Sequence, residues 1–314
     1  MMRSAITHSA RFARIACVAL GLLPLLAFAQ LQAQPAQTPT ASTVANGLQF
    51  PEGTIFVADT LYFVDYGRSD VLRLTGGATQ VVWHRDGCGA NGLVQSGGHL
   101  LVACYDSNAV LEITTDGQSI GTIATDDSGK PLIHPNDLTG DRHGGVYFTA
   151  SGSADTPGKV FYLDATHRVR ELATDIRYAN GVAVSPDGGT LYVAESDASR
   201  ILAFTIDAPA TLQNRRIFAT QATLGALGGN QRFTPDGVRT DARGNVFVAQ
   251  YDGGGFVVFA SNGQLRDTVR LPGQHHSNLA ISPDGRFVFV TNVQDSADGA
   301  DSGTLLQVPN PVRP

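Results

Sequence analysis

Short apolar runs separated by polar turns fill the chain from about residue 50 to its end. The segment Tyr178–Asp207 shows this pattern in full, with three predicted strands at Val182–Val184, Leu191–Ala194 and Ile201–Phe204. Between the first two strands lies Ser185–Gly189, where a proline fixes φ and glycines permit the left-handed conformation of a tight turn. Because no apolar stripe with helical spacing competes, we predict an all-β segment.

The same unit recurs along the chain, and each copy begins with a polar residue just ahead of its first strand. The six entries are Phe50–Gly53, Gly89–Gly92, His134–Asp137, Tyr178–Gly181, Thr234–Gly237 and His276–Leu279. The steps between the polar residues are 39, 45, 44, 56 and 42 residues, and the longest step holds an extra Gly- and Ala-rich loop at 219–232. A period near 45 with several short strands per unit predicts an all-β, six-bladed β-propeller. A β-sandwich is the alternative architecture, but it explains the even spacing poorly.

The first strand of each propeller blade lies against the central axis, so the six polar residues are predicted to form a ring at one mouth of the channel. The ring consists of Glu52, Asn91, Asn136, Asn180, Asp236 and Asn278. All six carry side-chain oxygen, and hard oxygen ligands favour Ca²⁺. We therefore predict a divalent-cation site, with Mg²⁺, Mn²⁺ and Zn²⁺ as alternatives to Ca²⁺.

Turn formation is the competing explanation for these residues, because Asn-Gly and Asp-Gly are common turn dipeptides. Position within the repeat separates the two cases. Asp187 and Asp284 follow a first strand and are predicted hairpin residues. Asp236 precedes its first strand, in a unit whose hairpin turn already falls at Arg243-Gly244. Glu52 likewise has no role in a turn, so both acids remain site candidates.

The first thirty residues differ from the rest of the chain. Arg3, Arg11 and Arg14 precede an apolar run, Ile15–Ala29, that ends in an A-x-A-like cleavage site; a second candidate site ends at Ala33. This arrangement is typical of a secretory signal peptide, and an uncleaved anchor is the alternative. The predicted organisation is a signal peptide at 1–29, a flexible linker at 30–45 and the propeller at 46–314. The mature protein is expected to be secreted or periplasmic.

Charge limits the classes of partner. The signal peptide removes three arginines and no acid, which leaves 19 basic against 28 acidic residues and a net charge of −9. Such a balance argues against nucleic acid or an anionic membrane surface as a partner. We expect a monomer that acts on a small molecule.

Two of the three cysteines, Cys88 and Cys104, remain in the mature chain. They flank a predicted hairpin whose turn is Gly97-Gly98. In an oxidising compartment a disulfide between them is plausible, and two separate buried thiols are the alternative.

Taken in order, the entry motifs resemble those of the senescence marker protein/gluconolactonase/luciferin-regenerating enzyme family of six-bladed propellers, which are relatives of diisopropyl fluorophosphatase and paraoxonase. The matching motifs are Phe50-Pro51-Glu52-Gly53, Pro135-Asn136-Asp137 followed by Val146–Thr149, Ala179-Asn180-Gly181, and Pro235-Asp236-Gly237 leading to Val248–Tyr251. Each motif is weak alone, but together they span most of the mature chain in the family's order.

The resemblance implies roles for particular residues. Glu52, Asn180 and Asp236 would bind the metal directly, and Asn136 would be a further ligand or a substrate contact. Asp236 would be the general base and Asn136 a second catalytic residue. Candidate substrate-binding residues are His134, Asn91, Asn278, His276 and Tyr251, of which Asn91 and Asn278 hold ring positions that vary in the family. His134, His275 and His276 are also candidate proton shuttles.

Three departures from the family's pattern concern the substrate and a second ion. His134 stands where some relatives carry an arginine that holds the sugar. Arg239 replaces an aspartate that binds a second, central calcium in some relatives. The sequence Thr149-Ala150-Ser151 lacks the acid of the gluconolactonase-like motif. These differences leave the metal site better supported than the identity of the substrate.

The expected function is therefore an exported, gluconolactonase-like hydrolase of a lactone or ester, in which a cation polarises the carbonyl and Asp236 activates water. Phosphotriesterase or arylesterase activity on the same site is one alternative. Another is a propeller without catalytic activity that binds a ligand or a protein. A Ser-His-Asp triad is not expected.

Overall fold

A computed structural model describes residues 40–228, 233–294 and 302–313. The predicted signal peptide and most of the predicted linker lie outside the described residues. Within the described ranges, no helix is both long and apolar enough to cross a bilayer.

The described residues form six antiparallel sheets of four strands each, arranged as the blades of a six-bladed propeller. The first strand, β1 (Ser42–Leu48), belongs to the last blade. Blade 1 contains β2 (Pro51–Val57), β3 (Thr60–Asp65), β4 (Asp70–Thr75) and β5 (Ala78–His84). Blade 2 contains β6 (Ala90–Ser96), β7 (His99–Cys104), β8 (Ala109–Ile113) and β9 (Ser119–Ile123). Blade 3 contains β10 (Pro135–Gly140), β11 (Val146–Ala150), β12 (Gly158–Leu163) and β13 (Val169–Ile176). Blade 4 contains β14 (Ala179–Val184), β15 (Thr190–Glu195), β16 (Arg200–Ala208) and β17 (Thr211–Ala219). Blade 5 contains β18 (Pro235–Thr240), β19 (Val246–Gln250), β20 (Gly255–Phe259) and β21 (Leu265–Arg270). Blade 6 contains β22 (Leu279–Ile281), β23 (Phe287–Asn292) and β24 (Gly303–Pro309), with β1 as its outermost strand.

Blade 6 joins the two ends of the propeller. Strand β1 pairs antiparallel with β24, with Ser42 opposite Gln307 and Leu48 opposite Gly303. The N-terminal strand β1 and the C-terminal strand β24 therefore close the ring together, side by side in one sheet. The strand begins at Ser42, four residues before the predicted start of the propeller. The difference arises because an outermost strand buries few side chains, and its polar residues resemble a linker in sequence.

The hydrophobic core lies between the blades. Six clusters of buried side chains occur among the described residues, and each joins two neighbouring blades. Alternation along β7 shows how this arises, because Leu100 and Val102 pack against blade 1 while Leu101 and Ala103 pack against blade 3. Middle strands are therefore apolar on both faces, as the sequence pattern predicts.

Cys88 and Cys104 are joined by a disulfide, with their Cα atoms 4.6 Å apart. The bond links the entry of blade 2 to the end of β7, across the predicted hairpin with its Gly97-Gly98 turn. Both residues are fully buried in the core between blades 1 and 2. Of the two possibilities that the sequence left open, the bridged one is present.

The extra loop after blade 4 contains a short helix, α1 (Gln221–Leu224), followed by a 3₁₀ turn at Gly225–Leu227. Leu224 and Leu227 are buried and pack beside Phe233 in the core between blades 4 and 5. This part of the loop therefore extends the core.

Candidate active site

The predicted ring converges at one mouth of the channel. Glu52, Asn91, Asn136, Asn180 and Asp236 line one cavity of about 300 Å³, although they come from five different blades. The other lining residues are Phe50, Tyr178, Ser196, Asp197, Thr234 and Tyr251. Each polar ring residue in the cavity lies on the innermost strand of its blade, as the repeat predicts.

Glycine follows four of the six ring residues because neighbouring blades approach each other closely there. A Cβ on Gly92 would lie 2.2 Å from the carbonyl oxygen of Asn136, and one on Gly181 would lie 2.1 Å from that of Asp236. Gly53 and Gly237 meet their neighbouring blades at 2.7 and 2.8 Å in the same way. Glycine is therefore required in the Asn-Gly and Asp-Gly pairs of the ring because inner strands pack closely there. These pairs have the composition of a turn but lie at the start of a strand.

Two serines fix the orientation of the ring carboxamides. The Ser151 hydroxyl donates to the Ala179 carbonyl at 3.0 Å, so it must accept from Nδ2 of Asn136 at 3.1 Å. Ser196 relates in the same way to the Pro235 carbonyl (2.7 Å) and to Nδ2 of Asn180 (3.2 Å). Each carboxamide uses its nitrogen on a serine of its own blade, and that serine in turn bonds to the backbone of the next blade. Its Oδ1 is thereby left for a group in the cavity, and buried Asn136 Oδ1 has no hydrogen-bond partner.

Glu52 and Asp236 are two buried carboxyl groups in the same cavity. Burial raises the pKa of Glu52 to about 8, although Oε2 accepts hydrogen bonds from Gly53 N and Asn278 Nδ2, both at 3.1 Å. Burial also raises the pKa of Asp236 well above its ordinary value, and the charge of Glu52 raises it further. A positive charge between the two acids would reverse both shifts.

A guanidinium group lies next to this site. Arg239 binds both oxygens of Asp137, at 2.7 and 3.2 Å, and donates to Asn278 Oδ1 at 3.1 Å. These contacts join blades 5, 3 and 6, and Asn278 carries the connection to Glu52 through its other amide atom. Sequence reasoning missed Asp137. The available signal was an aspartate where four of the other five blades have glycine after the ring residue.

The donor set fits a hard divalent cation. It offers the carboxyl oxygens of Glu52 and Asp236 and the carboxamide oxygens of Asn136 and Asn180. No group of three or more His, Cys, Asp or Glu side chains suited to a metal occurs in the described part of the chain, so a cation at this cavity would draw on the carboxamides as well as the two acids. Oxygen donors with two negative charges and an unpartnered Oδ1 match Ca²⁺ better than Zn²⁺.

Comparison with known proteins identifies the family. A family model described as the SMP-30/Gluconolactonase/LRE-like region matches residues 50–307. The chain belongs to this family. It is 26% identical over 281 residues to a gluconolactonase from Zymomonas mobilis, covering 79% of this chain and 77% of that protein. It is 25% identical over 204 residues to the diisopropyl-fluorophosphatase of Loligo vulgaris, covering 60% and 63%. The solved structure of a gluconolactonase from Xanthomonas campestris superposes with a TM-score of 0.72 at 24% identity, covering 86% of this chain and 89% of that one, and shows a shared fold.

Two predicted substrate-binding residues of this family member lie away from the cavity. Asn278 lies behind Glu52 and uses its amide on Glu52, Thr54 and Arg239. His276 is fully buried, and burial lowers its pKa to about 4. Its Nε2 bonds to the Pro272 carbonyl at 3.1 Å. Both residues support the ring from outside the cavity, and a histidine kept neutral in this way is unsuited to shuttle protons.

The remaining candidates lie at the mouth. Tyr251 lines the cavity, and His275 packs against its ring at 4.6 Å while Nδ1 bonds to the Tyr251 carbonyl. His134 lines a larger adjoining cavity and stacks on Tyr105 at 4.3 Å. Asn91 lines the ring cavity and donates to the Asn136 carbonyl at 3.4 Å.

The pentapeptide Gly117–Gly121 has the G-x-S-x-G spacing of serine hydrolases. It spans the hairpin between β8 and β9, whereas a nucleophile of that class lies on a strand-to-helix turn. Ser119 is exposed and accepts a hydrogen bond from Trp83 Nε1 at 3.0 Å. The pentapeptide therefore runs from this turn into the outermost strand of blade 2 and does not have the strand-to-helix setting of such a nucleophile.

Proposed function

We propose that this protein is a divalent-cation-dependent hydrolase of lactones or esters, with Ca²⁺ as the cation. The observation that carries the proposal is the pair of buried acids, Glu52 and Asp236, in one cavity with the carboxamides of Asn136 and Asn180. Burial raises the pKa of both acids, and strongly shifted carboxyl groups that line one cavity are typical of functional sites, which supports the proposal. The similarity to a gluconolactonase supports the substrate class.

The residues have distinct roles in this reaction. A divalent cation, when bound, polarises the substrate carbonyl and stabilises negative charge that develops on its oxygen. Asp236, returned to its ionised form by the cation, accepts a proton from the attacking water. Glu52 balances the cation's charge, and its hydrogen bond from Asn278 holds it in place. Asn136 and Asn180 present oxygens whose direction is set by Ser151 and Ser196.

We also propose that the protein acts outside the cytoplasm. Two features support export. Residues 1–29 have the order of a signal peptide, with basic residues ahead of an apolar run and small residues at its end. The Cys88–Cys104 disulfide is of a kind that persists in oxidising compartments.

The decisive variant is Asp236→Asn. Since it removes the proton acceptor and one cation ligand, we expect kcat/KM for a lactone panel in Ca²⁺ to fall by about 10³-fold or more. Asp284→Asn is the matched control, because Asp284 lies in an exposed hairpin turn of blade 6 and should leave turnover unchanged. Undiminished turnover by Asp236→Asn would refute its role as base.

Phosphotriester and aryl ester hydrolysis is a second candidate on the same residues, favoured by the similarity to the Loligo enzyme. Paraoxon and phenyl acetate in the same panel test it, and Asp236→Asn should abolish any such activity together with lactone turnover. If Ca²⁺ raises the melting temperature but no lactone, ester or phosphotriester is cleaved, the protein is instead a propeller that binds a ligand or partner.

A further inference from the structure

Aromatic side chains encircle the entrance to the candidate active site. This aromatic rim consists of Phe50, Tyr66, Tyr105, His134, Tyr178 and Tyr251. Their contacts form a chain across blades, with Tyr251 stacked on Phe50 at 6.0 Å, Phe50 against Tyr66 at 5.6 Å and Tyr66 against Tyr105 at 6.2 Å. Tyr105 then stacks on His134 at 4.3 Å with an interplanar angle of 5°. None of these six residues is fully buried, so ring surface is presented to the entrance.

Two rim residues are kept in a backbone conformation that suits glycine. The position two residues before the ring residue is left-handed in three successive blades, with φ of 60° at Gly89, 54° at His134 and 59° at Tyr178. For a residue with a Cβ this conformation costs about 1–2 kcal/mol, although histidine is among the side chains enriched there. Blade 2 has glycine at this position, whereas blades 3 and 4 carry an imidazole and a phenol. The left-handed backbone fixes where these two rings lie at the mouth, and eight other non-glycine residues of the described chain share it.

The polar ends of the rim are already engaged by the protein. The Tyr66 hydroxyl donates to Asp106 at 2.9 Å, and the hydroxyls of Tyr105 and Tyr178 bond to each other at 3.2 Å. His134 Nδ1 lies 2.7 Å from the Gly152 carbonyl, which can only accept, so this nitrogen carries a proton. What the rim offers a ligand is therefore mainly the faces and edges of rings.

Tyr178 lies beside the position that a substrate's ring would take. It lines the ring cavity with Asp236, and it also lines an adjoining cavity of about 750 Å³ together with Tyr105 and His134. Asp197 is a second wall that the two cavities share. A carbonyl placed among the ring residues would thus hold its attached group against Tyr178. Tyr178 is 37% exposed, so part of its ring is open to the two cavities that it lines.

We infer that the aromatic rim determines substrate specificity and takes a flat, apolar ring joined to the reacting carbonyl. Aryl-fused lactones and aryl esters are then better substrates than polyhydroxylated sugar lactones. The inference rests on the proposed hydrolase function, and Tyr178 is its central residue because it contacts both cavities.

The test compares two δ-lactones, dihydrocoumarin and D-glucono-1,5-lactone, in the full mature chain with Ca²⁺. We expect the wild-type protein to favour dihydrocoumarin in kcat/KM. Tyr178→Gly, which removes the ring and relieves the backbone strain, should lower the ratio of the two kcat/KM values about tenfold. Tyr178→Phe keeps the ring and should keep the ratio.

Ala58→Gly is the matched control. Ala58 is also left-handed, with φ of 50°, and is exposed in the hairpin between β2 and β3. Both glycine variants relieve strain and should raise the melting temperature or leave it unchanged. Only Tyr178→Gly should alter the ratio of kcat/KM values, so an effect on stability alone cannot produce the expected result.

The outcomes separate this inference from the proposed function. A wild-type preference for the sugar lactone, or a ratio that Tyr178→Gly leaves unchanged, overturns the specificity assignment while hydrolysis stands. If neither lactone is hydrolysed, the proposed function fails, and calorimetric titration with the lactam 3,4-dihydroquinolin-2-one still tests the rim. Binding that is lost in Tyr178→Gly supports the rim's role, and no binding to the wild-type protein overturns it.

Discussion

Glu52 and Asp236 are two carboxyl groups in one cavity, and burial favours the uncharged form of each. Glu52 has its pKa raised to about 8 by burial, and the pKa of Asp236 is raised by burial and by the charge of Glu52. Near neutral pH the metal-free site therefore holds protons that a divalent cation must displace. Cation binding should consequently release protons and strengthen as the pH rises. The same shifts make the stability of the fold depend on pH. In the unfolded chain both groups have ordinary pKa values and are ionised near neutral pH.

A melting experiment in chelator tests this coupling. Because the folded pKa of Glu52 lies above its ordinary value of 4.5, its contribution to stability is complete below that value and lost as pH rises through about 8. Asp236 acts in the same direction. His276, with a pKa lowered to about 4 from 6.5, acts oppositely between those two values, so the useful window is pH 6.5 to 8. We expect the melting temperature of metal-free protein to fall across this window.

Glu52→Gln isolates the contribution of Glu52 in that experiment. The exposed His84 also has a raised pKa, owing to its hydrogen bond to Asp70, and loses its stabilising charge in the same window. The difference between wild type and Glu52→Gln removes that background. The variant should show a flatter decline. Equal slopes for both proteins would contradict the raised pKa.

The buried ion pair of Arg239 and Asp137 gives a second prediction for single residues. Arg239→Met leaves the Asp137 carboxylate buried and unpaired, which should lower the free energy of unfolding by about 3–5 kcal/mol in urea titration. Adding Asp137→Asn should recover part of the loss, since the neutral amide removes the buried charge and its one oxygen can still accept one of the two backbone hydrogen bonds. Arg243→Met is the control, because Arg243 is exposed and 3.9 Å from its partner. A loss equal to that of the control would show that the pair contributes little.

At this scale the sequence predicted the residues that repeat and missed those that support them. Glu52 and Asp236 were found because their place in each unit differs from that of turn residues such as Asp284. Tyr251 was found through the family motif. Ser151, Ser196 and the other rim tyrosines do not recur as one residue type from blade to blade, so the pattern did not mark them. Asn278 and His276 were placed in the cavity by position alone, yet their side chains turn to Glu52 and Pro272.

Inner strands meet at glycine, and this contact can be tested at the level of the blade. The backbone of blade 3 leaves no room for a Cβ on Gly92, with the Asn136 oxygen at 2.2 Å and Asp137 Cα at 2.8 Å. Gly92→Ala must push blades 2 and 3 apart and should cost about 1–3 kcal/mol of stability in urea titration. It should also weaken Ca²⁺ binding by displacing Asn136. Gly140→Ala is the control, since its nearest neighbour would be 3.9 Å away. Tolerance of both alanines would contradict the close approach.

The disulfide gives a prediction for the entry of blade 2. Its cysteines are 16 residues apart, and a loop of about that length implies about 3 kcal/mol of stabilisation. The Cys88→Ala/Cys104→Ala double variant should have a lower urea midpoint than wild type in the absence of reductant. Adding reductant during unfolding should bring the wild-type midpoint down toward that of the variant. Coincident midpoints without reductant would mean that the bond contributes nothing.

The sequence predicted the strands whose two faces are both buried, and it predicted the outermost strand of each blade less well. The first three strands of a unit are apolar runs bounded by turn residues, so the pattern located them. Outer strands such as β9 and β17 are exposed over most of their length, and β1 resembled a linker for the same reason. Pairing with a neighbour's backbone, which leaves no mark on side-chain type, defines those strands.

At the scale of the whole molecule, the hydrophobic core consists of separate clusters between successive blades of the propeller. Each of the six described core clusters belongs to two blades, so no blade buries its own faces completely. The period of about 45 residues predicted this arrangement because a unit of that size cannot form a core alone. The identity of the substrate depends on loops and rim residues that differ from blade to blade. For that reason the pattern predicted the scaffold and the ring but left specificity open.

The pairing of β1 with β24 also has a consequence for biosynthesis. Among the described strands β1 comes first in the chain, and its hydrogen-bonding partner β24, which ends at Pro309, comes last. During synthesis β1 therefore stays unpaired until β24 has been made, and the core between blades 6 and 1 can be completed only then.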